Sequence, residues 1–194
     1  MLRDRLLTSS AGPTEKPSVL EQLQIKAYCV FLHAAIEEFL EETARELADL
    51  SIRRWKSKLG LRPSTALLAL AVHCSKRHTD GEDDDASLNM FEELGKKLDI
   101  AYSELDKIIN GNNGASIKHF KRLLRFVGIT FTMSPTTSSA FSHLKQYRGG
   151  FAHTNSISSI PSVDDIIRDA DSCLEFCNTV SAAALRIYLE LRRC

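Results

Sequence analysis

A chain of 194 residues, 43% hydrophobic and 26% charged, is long enough to bury one real core and short for two domains. Lys plus Arg equals Asp plus Glu at 25 each, which excludes a global basic field and leaves any RNA affinity to a local patch. Five scattered cysteines, Cys29, Cys74, Cys173, Cys177 and Cys194, lack the spacing of a disulfide framework or a zinc ribbon and point to a reducing, cytoplasmic setting.

The first residues, Met1 to Leu7, lack the apolar run of a signal peptide. The most apolar stretch, residues 66–72, falls far short of the ~20 residues needed to cross a bilayer, so no membrane is expected. Gly12, Pro13 and Pro17 among Ser and Thr mark residues 1–17 as a flexible or loosely docked arm, and residues 18–194 are expected to form a single helical domain. Ser18 and Glu21 have capping-box spacing, and a long helix is predicted over 19–50. One apolar stripe follows Leu20, Leu23, Ala27, Val30 and Ala34; a second follows Ile36, Leu40, Thr43, Leu47 and Leu50. One more step of the first stripe reaches Glu37, beside Glu38, at the margin of an apolar face where a carboxylate needs a partner.

Arg53, Arg54, Lys56 and Lys58 surround Trp55 before Gly60, where the helix or its turn is expected to end. Residues 66–72, apolar nearly all round, read as a helix that is buried or lies at a subunit interface. His73, Cys74 and His78 at its end fall short of a four-ligand set, so no metal and no cofactor is expected. Residues 79–85 are an acidic loop, followed by predicted helices over 87–98 and 103–109. The turn at residues 110–114 is the strongest breaker, and Ser116 caps the next helix. There Ile117, Phe120, Leu124 and Val127 form the core stripe. Lys118, Lys121, Arg122 and Arg125 project from other sides as a candidate patch for an RNA backbone, or as an ordinary solvated face.

Gly128 is expected to end this helix, with a short extended segment at 129–131 too isolated to build a sheet. Residues 135–139 read as a loop into a helix carried inward by Phe141, Leu144 and Tyr147, and residues 154–160 as a polar linker. Ser162 and Asp165 repeat the capping-box pattern. The closing helix is predicted to bury Val163, Ile166, Ala170, Leu174, Cys177, Ser181, Ala184, Tyr188 and Leu191.

Chemistry concentrates in Gln146-Tyr147-Arg148-Gly149-Gly150-Phe151-Ala152-His153-Thr154. Arginine is a permanently charged forked donor suited to phosphate, and histidine switches between acid and base near neutral pH. In a straight helix, residues five apart stand about 140° round the axis, so a helix end at Gly149-Gly150 is expected to bring the imidazole back toward the guanidinium.

This passage resembles the R-x4-6-H signature of the HEPN superfamily of all-helical ribonucleases. The segment from Gly111 to Leu124, with Val127-Gly128-Ile129 after it, looks like the middle of the RiboL-PSP-type HEPN branch, and Ala34-Ala35-Ile36-Glu37-Glu38-Phe39-Leu40 fits its long first helix. The resemblance implies an all-α, HEPN-like helical bundle with long first and last helices and shorter helices between them. It implies a homodimer in which two copies of the motif face one another, with RNA as substrate and cleavage that needs no metal. Arg148 and His153 take the catalytic roles, and Glu37 or Glu38 supports Arg148. A toxin or phage-defence role with an antitoxin or other regulatory partner is implied as well; the alternative is a non-catalytic helical module for RNA binding or assembly. Many members carry Asn, Asp or His directly after the arginine, where this chain has Gly149. Another branch carries a modifiable Tyr two residues after the histidine, where this chain has Asn155.

Overall fold

Ser18 and Glu21 fix the start of helix α1 (Val19–Lys56) by capping one another. The Ser18 N–H donates to Glu21 Oε2 at 2.7 Å and the Glu21 N–H donates to Ser18 Oγ at 3.3 Å. This satisfies two of the backbone donors that every helix start leaves open. Four more helices follow: α2 (Met90–Asn110), α3 (Ile117–Arg125), α4 (Pro135–His153) and α5 (Val163–Arg193). The computed structural model describes residues 18–57, 90–111, 116–153 and 161–193, with Arg3, Leu6, Leu7 and Leu70. The fold is all-α: among the described residues there are five helices and no strand. None of these helices is long and apolar enough to cross a membrane.

Two compact units emerge. The first comprises Met1–Phe39, Gly114–Ile117 and Thr132–Asn178; the second comprises Leu40–Asn113, Lys118–Phe131 and Thr179–Cys194. Both α1 and α5 therefore give residues to each. In the first unit Ile25, Tyr28, Cys29, Ile166 and Ala170 form a buried cluster, with Leu6, Leu7, Leu32, Tyr147 and Val163 packed on it. Arg3 also pairs with Asp171 at 3.3 Å, so the described residues of the N-terminal arm are docked. In the second unit Leu98, Ala101, Leu105 and Ile109 form the buried stripe of α2, while Lys56 meets Asp99 at 2.7 Å.

Several expectations are corrected. α1 runs on to Lys56, because Arg53, Arg54 and Lys56 suit the negative end of the helix dipole and extend the last turn. The first apolar stripe is not the core face: Leu20 and Leu23 are exposed, and burial falls to Ile25, Tyr28 and Cys29 on the other side of the helix. The second stripe holds better, with Ile36, Leu40 and Leu47 buried. The helices predicted to end at 98 and to begin at 103 are one, since Asp99-Ile100-Ala101-Tyr102 contains no breaker and Ala101 continues the stripe. In α5 the step after Ala170 is three residues rather than four. Cys173, Phe176, Val180 and Ile187 are buried, while Leu174 and Ser181 are exposed.

Other features arise as expected. Ser162 Oγ accepts from the Asp165 N–H at 3.1 Å and donates to Asp165 Oδ2 at 2.7 Å, which holds that carboxyl below its usual range. Gly128 closes α3 with φ of 77°; its N–H donates to Arg125 O at 3.2 Å and the Ile129 N–H to Leu124 O at 3.0 Å. This is the paired pattern of a glycine-terminated helix. Of the run at 66–72 only Leu70 is described, and it is helical and fully buried. The acidic loop at 79–85, the candidates His73, Cys74 and His78, and the linker at 154–160 lie outside the described residues.

Candidate functional site

The helix that carries Arg148 starts earlier than expected. Ser134 caps α4, its Oγ accepting from the Thr137 N–H at 3.0 Å, and Pro135 takes the first helical position, where its missing N–H costs nothing. Residues 135–139 are therefore the first turn of the helix and not a loop. Ala140, Phe141 and Leu144 are buried, and Phe141 meets Phe176 edge-on at 5.4 Å between ring centroids. Tyr147 continues this face onto the Ile25–Cys29 cluster.

Beyond Tyr147 the chain does not bend as expected. α4 passes through Gly149 and Gly150 and ends at His153. Glycine is a poor helix former, yet its cost of about 1 kcal/mol is small beside the burial that anchors the preceding two turns. Five residues on a continuous helix place the backbone positions of Arg148 and His153 about 140° apart round the axis and about 7.5 Å along it. Arg148 itself is partly exposed. The two residues are thus carried by one helix, on different sides.

The supporting carboxylates are placed elsewhere. Glu37 meets His33 one turn earlier on α1, at 3.5 Å from its Nδ1, with His33 buried; Glu38 is exposed. Neither is placed against Arg148 among the described residues. On α3 the expected division of faces is present. Lys118, Lys121, Arg122 and Arg125 are all exposed, while Phe120, Leu123 and Leu124 are buried. α3 also holds His119, whose Nε2 lies 3.4 Å from Glu41 Oε1. A groove of about 480 Å³ in the second unit, lined by Leu47, Leu50, Ala184, Leu185 and Tyr188 among others, contains none of the candidate residues.

One arrangement was not anticipated from the sequence. His143 Nδ1 lies 3.0 Å from Asp169 Oδ2. Asp169 is buried at 7% exposure, whereas the His143 side chain is half exposed. The Tyr147 ring stands beside the imidazole at 6.2 Å, tilted by 32°. Around this carboxylate the neighbouring acids are suppressed. Burial, reinforced by the Asp169 charge, pushes the Cys29 thiol up to about 12 and also raises Tyr147. Cys173 is likewise raised to about 12 by burial, then by Cys177 and Asp169. His143 is separated from Asp169 by 26 residues and lies on another helix, so only its position one turn before Tyr147 is visible in the sequence. Among the described residues no group of three or more His, Cys, Asp or Glu side chains is gathered for a metal ion.

No curated protein and no solved structure matches the chain. A family model does: RiboL-PSP-HEPN matches residues 4–184. That span takes in α1 to α4 and most of α5, with Arg148, His153 and the His143–Asp169 pair inside it, and the chain belongs to the RiboL-PSP-HEPN family.

Proposed function

We infer from membership of this family a ribonuclease or otherwise RNA-related role. We propose that the protein is a metal-independent endoribonuclease of toxin or phage-defence type, cytoplasmic, active as a homodimer and held in check by an antitoxin or other regulatory partner. His153 takes the proton of a ribose 2′-hydroxyl as that oxygen attacks the adjacent phosphorus. Arg148 stabilises the charge that builds on the phosphoryl oxygens, for which its fixed fork is suited. The bond to the 5′-oxygen breaks and that oxygen takes up a proton from water, leaving a 2′,3′-cyclic phosphate and a 5′-hydroxyl. The exposed Lys118, Lys121, Arg122 and Arg125 would hold the RNA backbone.

The observation that carries the reading is the continuity of α4, which keeps Arg148 and His153 on different sides of one helix. A site that needs both is then completed by His153 of a second copy. Leu20, Leu23 and Phe31, left exposed along the first half of α1, offer apolar surface for that copy to cover.

The test is cleavage of an RNA oligonucleotide in excess chelator. Arg148→Ala and His153→Ala should each lose about 100-fold or more of the rate, and DNA should be untouched. Mixing the two inactive variants should restore activity, because the mixed dimer holds one site with both side chains intact. If the mixture stays inactive while exchange of subunits is verified, the composite site fails. A non-catalytic RNA-binding module is the second reading, favoured by Gly149 directly after the arginine; it is established instead if the verified dimer binds RNA and leaves it intact.

A further inference from the structure

In the first unit α1 and α5 meet along a seam, with Ile25, Tyr28, Cys29 and Leu32 from one helix and Val163, Ile166 and Ala170 from the other. This seam is covered. The N-terminal turn, closed by the Leu7 N–H donating to Arg3 O at 2.9 Å, lays Leu6 and Leu7 on it, and Tyr147 of α4 packs there as well.

Eighteen residues make five full turns of an α-helix, so a step of eighteen returns to the same face. From Ile25, Tyr28, Cys29 and Leu32 that step leads to Thr43, Glu46, Leu47 and Leu50; from Val163, Ile166 and Ala170 it leads to Ser181, Ala184 and Tyr188. All of these line the groove of about 480 Å³ in the second unit, together with Arg53 and Leu185. The groove is thus the α1/α5 seam repeated in the second unit, left as an open furrow where the first is covered.

The side chains that differ between the two seams identify the kind of cover. The groove keeps an apolar floor in Leu47, Leu50, Ala184 and Tyr188, but polar Thr43, Glu46 and Ser181 stand where the first seam has Ile25, Tyr28 and Val163, and Glu46 and Ser181 are exposed. A seam that is always covered can be apolar throughout, whereas a surface that also meets water combines an apolar centre with a polar rim, as exchangeable interfaces do. Leu185 and Leu189, 56% and 43% exposed and one turn apart, extend the apolar surface along α5.

The first seam also shows what shape fits: a helical turn with its leucines inward and a basic side chain, Arg3, paired with Asp171 of α5 at 3.3 Å. A helix laid in an apolar groove and anchored at i, i+3 or i+4, and i+7 is a recurring mode of recognition. From Thr43 to Arg53 the groove follows α1 for about 15 Å, the length of a three-turn helix. Of the charges that line it, Arg53 is met by Asp49 at 2.5 Å, whereas Glu46 is exposed, so the groove suits a basic occupant. We propose that this groove docks an amphipathic helix of a partner protein, with leucines against Leu47, Leu50 and Tyr188 and a lysine or arginine against Glu46. The site stands independently of the ribonuclease reading and needs no RNA.

The experiment titrates three stapled, alanine-based helical peptides into the full-length protein and follows its backbone amides by NMR. The first peptide carries leucines at i, i+4 and i+7 with a lysine beside them, the second has glutamate in place of that lysine, and the third keeps the lysine but has alanine in place of every leucine. The first should bind saturably and shift the amides of Leu47, Leu50, Ala184 and Tyr188. The second should bind about 2- to 5-fold more weakly, the range of an exposed ion pair, and the third should not bind. In Leu185→Glu, a change at an exposed position that should leave the urea midpoint unmoved, the shifts should vanish; in Glu46→Lys the order of the first two peptides should reverse. Absence of shifts at these amides with all three peptides overturns the proposal, as do shifts that survive Leu185→Glu or an order that Glu46→Lys leaves unchanged. Self-association of the free protein that Leu185→Glu abolishes overturns it too, since a second copy would then be the cover.

Discussion

In α3 the apolar and cationic side chains sit where burial alone would put them, with Phe120, Leu123 and Leu124 inside and four cations outside. In α4 the apolar face is just as real, through Ala140, Phe141 and Leu144, but the helix also presses a half-exposed histidine onto a buried aspartate and runs on through two glycines. A buried carboxylate is costly unless it is hydrogen-bonded, and a glycine pair weakens a helix. α3 thus shows what packing requires and α4 what packing does not explain. The difference teaches where to look for chemistry: at the polar groups a stable helix keeps against its own interest.

Substitutions can break this contrast, starting from the packing side. Phe120 is fully buried, so Phe120→Ala should cost about 3–5 kcal/mol, measured by urea denaturation. Arg148→Ala, at a partly exposed position, should change stability by no more than ~0.5 kcal/mol while removing activity. A large loss of stability at Arg148 would mean that it serves the fold.

A pH change should separate the layer beneath α4 from the rest. Cys29 and Cys173 are fully buried, and burial lifts both thiols from an ordinary 9.0 to about 12. Above pH 9 the unfolded chain releases these protons and the folded chain keeps them, so the unfolded state binds fewer protons and is favoured. Stability should be intact below pH 9 and fall between about 9 and about 12, by about 1.4 kcal/mol per pH unit for each thiol. Urea midpoints at pH 7 and pH 10 measure the fall. Amides of α4, whose Tyr147 packs on the Cys29 cluster, should exchange faster at the higher pH, after correction for intrinsic rate. A flat profile would show that the thiols reach water.

Legibility in the sequence follows the range of the interaction. The Ser18/Glu21 and Ser162/Asp165 caps and the Gly128 stop are local, and each could be read from spacing. The core face of α1 was misread because Leu20, Leu23, Ala27 and Val30 repeat as regularly as Ile25, Cys29 and Ile36, and only the partners decide which stripe is covered. At the candidate site, Arg148 and His153 are visible as a pair on one segment. The His143–Asp169 contact joins two helices across 26 residues and has no local signature. The continuity of α4 through Gly149-Gly150 was hidden for the same reason, since the anchoring of Phe141 on Phe176 is a tertiary fact.

Glycine plays opposite parts in the two helices, which gives the finest test of the contrast. Gly128, with φ of 77°, is required by the turn that closes α3, and Gly128→Ala should cost roughly 1–2 kcal/mol. Gly149 is helical, and a Cβ added there meets nothing within 4 Å. Gly149→Ala should therefore stabilise the protein by about 0.5–1 kcal/mol, read from the urea midpoint. If the straight α4 is also the working form, RNA cleavage by this variant should match the wild type. A variant that is more stable but slower would instead show that the helix must open at the glycine pair during turnover, and the two sides of α4 would then meet within one chain.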